Sequence, residues 1–247
     1  MHDPFVLSIL FSTFLLAGLV KGVIGLGLPT VVLGLLTAAL DLTTAMALLI
    51  IPSLLTNAYQ ASVGGRGRAI LARIWPFMLI ATSVVWVGAS ALTRIDLDLL
   101  SGLLGILLIG YAVISLAGLK FTLQARHEPW AGLALGLLNG ILTGMTGAFL
   151  IPSVIYLQAI GLPRDMLIQA MGMVFTALTI ALAFSLRFND LMAAGTVMTS
   201  ALLLIPALIG MFAGSVLRQR LSEERFRQVF FSALLALGLY IIRRAFF

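Results

Sequence analysis

The chain has 247 residues, of which 61% are hydrophobic and 10% are charged, and its mean hydropathy is +1.15. Because a soluble domain is usually about half apolar and about one quarter charged, this composition excludes a soluble globular protein and predicts an integral membrane protein. The absence of cysteine excludes disulfide and thiolate chemistry, and we interpret the net charge of +6 as a signal of membrane orientation, with no nucleic-acid partner.

Long apolar runs without strict alternation predict α-helices that cross or enter the bilayer. We predict an all-α integral membrane fold of about 8–10 transmembrane or half-membrane helices, since a full span needs about 20 residues. The predicted segments, in chain order, are 5–23, 29–40, 43–63, 70–92, 99–116, 130–142, 149–159, 166–186, 191–217 and 226–242. The second and seventh segments are short for a full span.

The first predicted segment ends in a cluster of glycines that should break the helix. Residues 18–29 read GLVKGVIGLGLP, which places four glycines around Lys21 and before Pro29. Glycine loosens a helix, and proline removes a backbone donor. In hydrocarbon such a break is tolerated only where the backbone is buried in protein or lines a wet cavity. A lysine at this point is a functional candidate for the same reason.

A similar stretch occurs in the second half of the chain. Residues 136–147 read GLLNGILTGMTG, and Pro152 follows. Gly18 and Gly22 match two of these glycines, Gly136 and Gly140, at a shift of 118. This match places Asn139 where the first copy has Lys21. We interpret the run of Thr143, Gly144, Thr146 and Gly147 as a second helix break.

The recurrence predicts an internal duplication. Gly88 also matches Gly214, at the larger shift of 126 that small loop insertions would produce. We predict a first transmembrane repeat at 1–119, a cytoplasmic linker at 120–128 and a second transmembrane repeat at 129–247. With an odd number of crossings in each half, the two repeats are inverted, as in many transporters.

Basic residues concentrate in three predicted loops, at 66–73, 120–126 and 218–227. The positive-inside rule places these loops in the cytoplasm, and the crossing count then places both termini outside. Arg243 and Arg244, near the predicted outer C-terminus, disagree with that rule.

Lys21 and the two predicted breaks form the candidate substrate site. A broken helix exposes amide groups at the start of its second part, and that end carries a partial positive charge that binds anions. The candidate substrate-binding residues are Lys21, Gly22, Gly25, Gly27, Asn57, Asn139, Thr143, Gly144, Thr146, Gly147, Gln169 and Thr176. The alternatives are close helix packing for the glycines, snorkelling for the lysine and hydrogen bonding between helices for the polar residues.

Enzymatic and metal-dependent functions find little support in the sequence. The two histidines, His2 and His127, fall in predicted terminal or loop positions, and no predicted span contains a carboxylate pair. Clustered metal ligands and nucleotide-binding motifs are also missing, so we expect neither a metal nor a cofactor. The sequence therefore predicts a protein that is not an enzyme.

The two glycine-rich stretches, Gly18 to Pro29 and Gly136 to Pro152, together with the two-half layout resemble the sulfite exporter TauE/SafE family. The similarity covers nearly the whole chain, although the family usually has a denser glycine run before the proline. The resemblance implies a multi-pass carrier in the cytoplasmic membrane that moves small sulfur-containing or organic anions, such as sulfite, sulfoacetate and other sulfonates. It also implies that the carrier is mainly an exporter.

The residues and the resemblance agree on one hypothesis. An anion binds in an electropositive pocket near mid-membrane between the repeats, and the repeats rock against each other in alternating access. The expected partners are a small anion, the lipid bilayer and a coupling ion, H⁺ or Na⁺, and the hypothesis allows a homo-oligomer. The alternatives are an anion channel and a non-transporting membrane assembly subunit.

Overall fold

The computed structural model describes residues 3–119, 121–220 and 222–247. Four residues lie outside these ranges, namely Met1, His2, Lys120 and Leu221. They fall at the N-terminus, in the predicted linker and in the last predicted loop. The described residues form α-helices, short 3₁₀ turns and loops, without a β-strand among them.

Each of the ten predicted segments contains a helix in the described part of the chain. The helices are α1 (Pro4–Ile24), α2 (Leu28–Ala39), α3 (Leu42–Ser62), α4 (Gly67–Ala89), α5 (Leu97–Leu116), α6 (Glu128–Thr146), α7 (Ser153–Ala159), α8 (Arg164–Phe188), α9 (Ala194–Leu217) and α10 (Glu223–Phe246). Seven of them, namely α1, α3, α4, α5, α8, α9 and α10, are long and apolar enough to cross a membrane. This confirms the predicted all-α integral membrane fold. The short helix α2 is apolar but has only 12 residues.

The second break lies later in the chain than predicted. The sequence predicted that helix α6 ends at Leu142, but the helix continues through Thr146, and only then does Gly147 adopt a left-handed conformation with φ 70°. The Thr146 hydroxyl donates to the Leu142 carbonyl oxygen at 2.7 Å, within the same helix. The glycines before this point remain helical because they serve packing, as described below.

Asp41 fixes the start of helix α3. Its Oδ1 accepts a hydrogen bond from the Thr44 amide at 2.8 Å and from the Thr43 hydroxyl at 2.6 Å. Partial burial acts to raise the pKa of the Asp41 carboxyl, but these hydrogen bonds outweigh it and hold the pKa below its ordinary value. The carboxylate is therefore the form that the folded helix end favours.

We expect Asp41→Ala to lower the free energy of unfolding by about 1 kcal/mol at neutral pH, because the helix loses its N-cap. Folding lowers the pKa of the Asp41 carboxyl. The contribution of the carboxylate to the free energy of unfolding is therefore fully present above the pKa of the unfolded chain, about 3.9, and is lost as the pH falls through the lower pKa of the folded state. Thermal unfolding in detergent should show a Tm difference at pH 7 that shrinks below about pH 3. A Tm difference that is constant with pH would contradict this role.

The chain forms two compact units, and each combines helices from both predicted halves. Unit 1 contains Met1–Pro52, Asp96–Gly118 and Met192–Phe247, and unit 2 contains Ser53–Ile95 and Leu119–Leu191. Unit 1 therefore holds α1, α2, α5, α9, α10 and the first part of α3. Unit 2 holds α4, α6, α7, α8 and the rest of α3.

In unit 1, helix α1 packs against helix α9 through small residues on both helices. A Cβ atom placed on Gly18 would lie 2.0 Å from the Ala207 carbonyl oxygen, and one on Gly22 would lie 2.2 Å from the Met211 carbonyl oxygen. On α9, Gly210 would meet the backbone of α1 at a similarly short distance. Only glycine allows two helix backbones to approach this closely.

In unit 2, helix α6 packs against helix α4 in the same way. A Cβ atom on Gly140 would lie 2.2 Å from the Ala81 carbonyl oxygen, and one on Gly144 would lie 2.1 Å from the Val85 carbonyl oxygen. These contacts explain why the glycine run before Gly147 stays helical: the close approach to α4 requires small residues in a regular helix.

The matching contacts favour a different register for the internal comparison. The contacts of Gly18 and Gly22 on α9 resemble the contacts of Gly140 and Gly144 on α4, at a shift of 122 residues, whereas the sequence match has a shift of 118. The two registers differ by four residues because glycines recur every four residues along α6, so either alignment pairs glycines with glycines. The contacted residues on α4 and α9 keep the shift of 126.

Candidate functional site

The first predicted break is present between α1 and α2. Gly25 ends α1 with φ 85°, and its amide donates to the Lys21 carbonyl oxygen at 2.8 Å. Gly27 precedes α2 with φ 109°. Both residues have positive φ, which glycine adopts without steric penalty. A Cβ on Gly25 would meet nothing within 4 Å, so the turn faces open space at that residue.

Helix α2 begins after Gly27, which has no side chain to cap the first backbone donors, and among the described residues no side-chain hydrogen bond to these donors is observed. The first amides of any helix have no acceptor within the helix. Pro29 has no N–H group, and the Val31 amide donates to the Gly27 carbonyl oxygen at 2.9 Å. Within the described residues, the amides of Leu28 and Thr30 are therefore the first-turn donors left without an acceptor. Leu28, Pro29 and Thr30 are buried, which makes this helix end a buried group of donors.

Two buried polar side chains accompany this helix end. Lys21 is 4% exposed and lies one turn before the break. Thr30 is 3% exposed, and within the described ranges its hydroxyl has no hydrogen-bond partner. An ammonium group and an amide can only donate, and a hydroxyl can donate as well. The break therefore combines donors and positive charge in a protein interior, which is the chemistry of an anion site.

The second break, between α6 and α7, satisfies its polar groups internally. The Asn139 Oδ1 atom accepts a hydrogen bond from the Ser153 amide at 3.0 Å and so caps the start of α7. The Thr143 hydroxyl donates to the Ala148 carbonyl oxygen at 3.1 Å, and the Ala148 amide donates to the Thr146 hydroxyl oxygen at 3.2 Å. The side chains predicted to bind substrate at this break are engaged with backbone groups of the break itself.

The two breaks differ at the position of the capping residue. Gly25 and Gly147 are the left-handed residues that end α1 and α6, and they are related by the same shift of 122 as the packing glycines. With this shift Lys21 corresponds to Thr143, and Asn139 corresponds to Ala17. The backbone match therefore favours Thr143 over Asn139 as the counterpart of Lys21. Because an alanine methyl group cannot accept a hydrogen bond, Ala17 cannot give α2 the cap that Asn139 gives α7.

The predicted site residues Gly22 and Gly144 have close contacts that account for them. Each would place a Cβ atom within 2.2 Å of a carbonyl oxygen of the packed helix. Helix packing, the alternative considered for the glycines, explains these two positions.

Gln169, another predicted site residue, joins α8 to the loop between α3 and α4. Its Oε1 accepts from the Arg66 amide at 3.1 Å, and its Nε2 donates to the Ala61 carbonyl oxygen at 2.9 Å. Gln60 makes a reciprocal bond to the Ile168 carbonyl oxygen at 2.8 Å. These hydrogen bonds indicate that Gln169 and Gln60 stabilise the packing of α8 against the end of α3 and the loop that follows it.

Asn57 and Thr176 also make contacts within the helices of unit 2. The Asn57 Nδ2 atom donates to the Ser53 hydroxyl at 3.0 Å, and that hydroxyl lies 3.4 Å from the Thr179 hydroxyl. The Thr176 hydroxyl donates to the Gly172 carbonyl oxygen at 2.7 Å. Of the predicted site residues, Gly25 and Gly27 lie at the break between α1 and α2, and Lys21 lies one turn before it.

Sequence reasoning missed two features of unit 2. Glu128, which is buried, forms a bidentate ion pair with Arg73 at 2.5 and 2.7 Å and joins the start of α6 to α4. A cavity of about 610 Å³ lies beside the ends of α4 and α8, with Trp86, Phe184 and Arg94 among its lining residues. The position of Glu128, an acidic residue just before an apolar segment, was the feature of the sequence that could have indicated the ion pair.

Sequence reasoning also missed Thr30, the buried threonine at the uncapped helix end. Its position directly after Pro29 was a usable signal, because a proline at a helix start places the next residues among the uncapped donors.

Seven membrane-length helices among the described residues, and a buried helix break one turn after Lys21 in unit 1, are features of a multi-pass membrane transport protein. The model of the family described as Sulfite exporter TauE/SafE matches residues 10–241, and the chain belongs to this family. No curated protein and no solved structure matched the chain.

Family membership confirms the resemblance seen in the sequence and the localisation in the cell (inner) membrane. The family is one of membrane exporters of sulfur anions, so the substrate class is a small anion and the surrounding partner is lipid. A transporter family also agrees with the prediction of a protein that is not an enzyme.

Proposed function

We propose that this protein exports small sulfur-containing anions, such as sulfite, sulfoacetate or other sulfonates, and holds the anion at the break between α1 and α2. The observation that carries the proposal is the uncapped, buried start of α2 beside the buried Lys21. A sulfite or sulfonate group has three oxygen atoms. The amides of Leu28 and Thr30 and the Thr30 hydroxyl can donate to them.

Electrostatics favours an anion over a neutral ligand at this break. The start of a helix carries about half a positive elementary charge, and Lys21 adds a second source of positive charge in the same unit. In a protein interior such charges act through a lower dielectric than in water, so their attraction for an anion is stronger. The cost of burying the donors is offset when the anion accepts from them.

Transport in this proposal follows alternating access around the bound anion. The matching contacts of α1 on α9 and of α6 on α4 support an internal duplication, and inverted repeats commonly rock against each other in transporters. We propose the repeat boundaries 1–119 and 129–247, and a coupling ion, H⁺ or Na⁺. Export itself is favourable without coupling, because an anion leaving a negative interior gains about 2.3 kcal/mol per charge per 100 mV.

The experiment for this function is sulfite efflux from proteoliposomes that contain the purified protein. A carrier should show saturable efflux and counterflow driven by external sulfite. The channel alternative predicts efflux that does not saturate and shows no counterflow. Lack of sulfite flux above that of protein-free liposomes would favour the non-transporting subunit.

We expect Thr30→Val to weaken sulfite binding about 10- to 150-fold, because a hydrogen bond to a charged ligand contributes about 1.5–3 kcal/mol. The substitution keeps the size of the side chain and removes the hydroxyl. Thr199→Val is the matched control, since the Thr199 hydroxyl donates to the Gly195 carbonyl oxygen of its own helix at 3.0 Å. Isothermal calorimetry measures both. Equal affinity of Thr30→Val and Thr199→Val would place the anion elsewhere.

A further inference from the structure

The cavity of unit 2 lies between the second halves of α4 and α8. Its volume is about 610 Å³, within the range of about 300–1,000 Å³ that is usual for ligand pockets. The Arg66 amide at the start of α4 donates to Gln169 near the start of α8, and the cavity lies where both helices end, so the two helices run in the same direction. Its lining residues include Trp86, Ser90, Arg94, Phe184, Phe188 and Asn189.

The cavity changes from apolar to polar towards the ends of these helices. The apolar, membrane-length parts of the two helices end at Thr93 and Phe188. Trp86 lines the cavity within such a part, whereas Arg94 and Asn189 are the residues that directly follow the two ends. The cavity therefore has an apolar interior at membrane depth and a polar mouth at the membrane surface.

The apolar interior is open to the surroundings of the protein. Trp86, Phe184 and Phe188 are exposed, and at membrane depth the medium that they contact is lipid, not water. From Thr82 to Ser90 the lining of α4 rises by eight residues, or about 12 Å. One leaflet contributes roughly 15 Å to the hydrocarbon core. The interior therefore matches the acyl chain of a lipid in one leaflet.

Arg94 gives the mouth of the cavity a positive charge. Among the described residues that line the cavity none is acidic, and within the described part of the chain no ion pair engages the Arg94 side chain. The Ser90 hydroxyl donates to the Val87 carbonyl oxygen at 2.7 Å, and the Asn189 side chain donates to the Ser185 carbonyl oxygen at 2.8 Å. These polar groups are neutral and do not offset the charge.

The acidic residues nearest to this mouth in the sequence have other contacts. The Asp96 Oδ1 atom accepts a hydrogen bond from the Asp98 amide at 2.9 Å at the start of α5. Asp190 lies 3.6 Å from Arg187, which follows the same helix end. The charge complement of Arg94 must therefore come from outside the described residues, and a phosphate group supplies it, because guanidinium donors match phosphate oxygens.

We propose that this cavity binds one anionic phospholipid, such as phosphatidylglycerol, with an acyl chain along Trp86 and Phe184 and the phosphate on Arg94. A tryptophan near the end of a membrane helix packs well at the level of the headgroups. A free phosphate would meet Arg94 but would leave the aromatic part of the cavity unfilled. The lipid fits both parts, and its binding does not depend on the proposed export function.

The three tryptophans of the chain allow a direct test by fluorescence. The double substitution Trp75→Phe with Trp130→Phe leaves Trp86 as the single emitter, and Trp86→Phe with Trp130→Phe leaves Trp75. Trp75 is the matched control: it is on the same helix, is 55% exposed against 65% for Trp86, and does not line the cavity. The full chain is reconstituted in phosphatidylcholine vesicles with a small mole fraction of phosphatidylglycerol that has brominated acyl chains, which quench nearby tryptophans.

We expect Trp86 to contact the brominated phosphatidylglycerol about fivefold more often than its mole fraction predicts, the preference that one arginine gives near anionic lipid. Quenching of Trp75 should follow the mole fraction. Arg94→Gln should lower the quenching of Trp86 to the level of Trp75. Arg68→Gln, at an exposed arginine near the other end of α4, should leave it unchanged.

Three outcomes would overturn the proposal: equal quenching of Trp75 and Trp86, no effect of Arg94→Gln, or equal quenching of Trp86 by brominated phosphatidylcholine at the same mole fraction. Loss of the excess quenching on addition of inorganic phosphate would also overturn it, since the mouth would then bind a free anion. Native mass spectrometry of the wild type and Arg94→Gln with phosphatidylglycerol, in which Arg94→Gln should retain less bound lipid, tests the same site without tryptophan substitutions. Sulfite takes no part in these measurements, so their failure would leave the proposed function untouched.

Discussion

Lys21→Met should reduce sulfite binding and export at least about 30-fold. Loss of one partner of a buried, hydrogen-bonded charge pair costs about 2–5 kcal/mol, and we propose that Lys21 and the substrate anion form such a pair. Methionine has a similar length and no charge, so the substitution removes the cation with little change in packed volume. Calorimetry with sulfite and efflux from proteoliposomes measure the two effects.

The Tm of the same variant without anion shows whether the protein remains folded, because Lys21 is 4% exposed and its replacement also changes the protein interior. Lys21→Arg keeps the charge and should retain part of the binding. Sulfite affinity equal to that of the wild type in Lys21→Met would leave only the start of α2 to hold the anion.

Gly144→Leu should destabilise the protein by about 3 kcal/mol or more, because overpacking a tight contact costs about 1–3 kcal/mol even for small additions. A Cβ atom at this position would lie 2.1 Å from the Val85 carbonyl oxygen, so α6 and α4 would have to separate. Gly18→Leu should have a comparable effect, since its Cβ atom would lie 2.0 Å from the Ala207 carbonyl oxygen. The Tm in detergent measures both.

Gly110→Leu is the matched control for these substitutions. Gly110 is also a helical glycine, but a Cβ atom on it would meet nothing within 4 Å. Leucine has a better helix propensity than glycine, so this variant should be as stable as the wild type or more stable. Similar stability of Gly144→Leu and Gly110→Leu would contradict the close approach of α6 and α4.

The helices and the first break could be predicted from the sequence because they depend on local chemistry. Apolar runs define the membrane-spanning segments. Gly25, Gly27 and Pro29 disfavour a continuous helix whatever the rest of the fold is. The end of α6 could not be predicted in the same way. In the sequence, Gly144 resembles a residue that interrupts a helix. In the structure it allows α6 to pack closely against α4, and this contact depends on the tertiary structure, which the local sequence does not specify.

The partner of each glycine face could not be predicted either. Small residues spaced four apart allow close packing against any other helix with the same pattern, so the sequence of α1 does not specify α9. The same degeneracy explains why the sequence pairs Lys21 with Asn139, whereas the packing contacts favour Thr143. Arg244 is a further case: it disagreed with the positive-inside rule, and its bonds to the last carbonyl groups of α2 give the physical reason for its position.

The pairing of helices constrains the order in which the chain can assemble during synthesis. Helix α4 precedes its partner α6, so unit 2 can close once residue 191 has been made. Helix α1 is made first, yet its partner is α9, and its glycine face stays uncovered in the bilayer until most of the chain has been inserted. The end of α2 is completed later still, because Arg244 of α10 donates to its Thr37 and Ala38 carbonyl oxygens. Of the two units, the one that holds the proposed anion site is therefore begun before the other and completed after it.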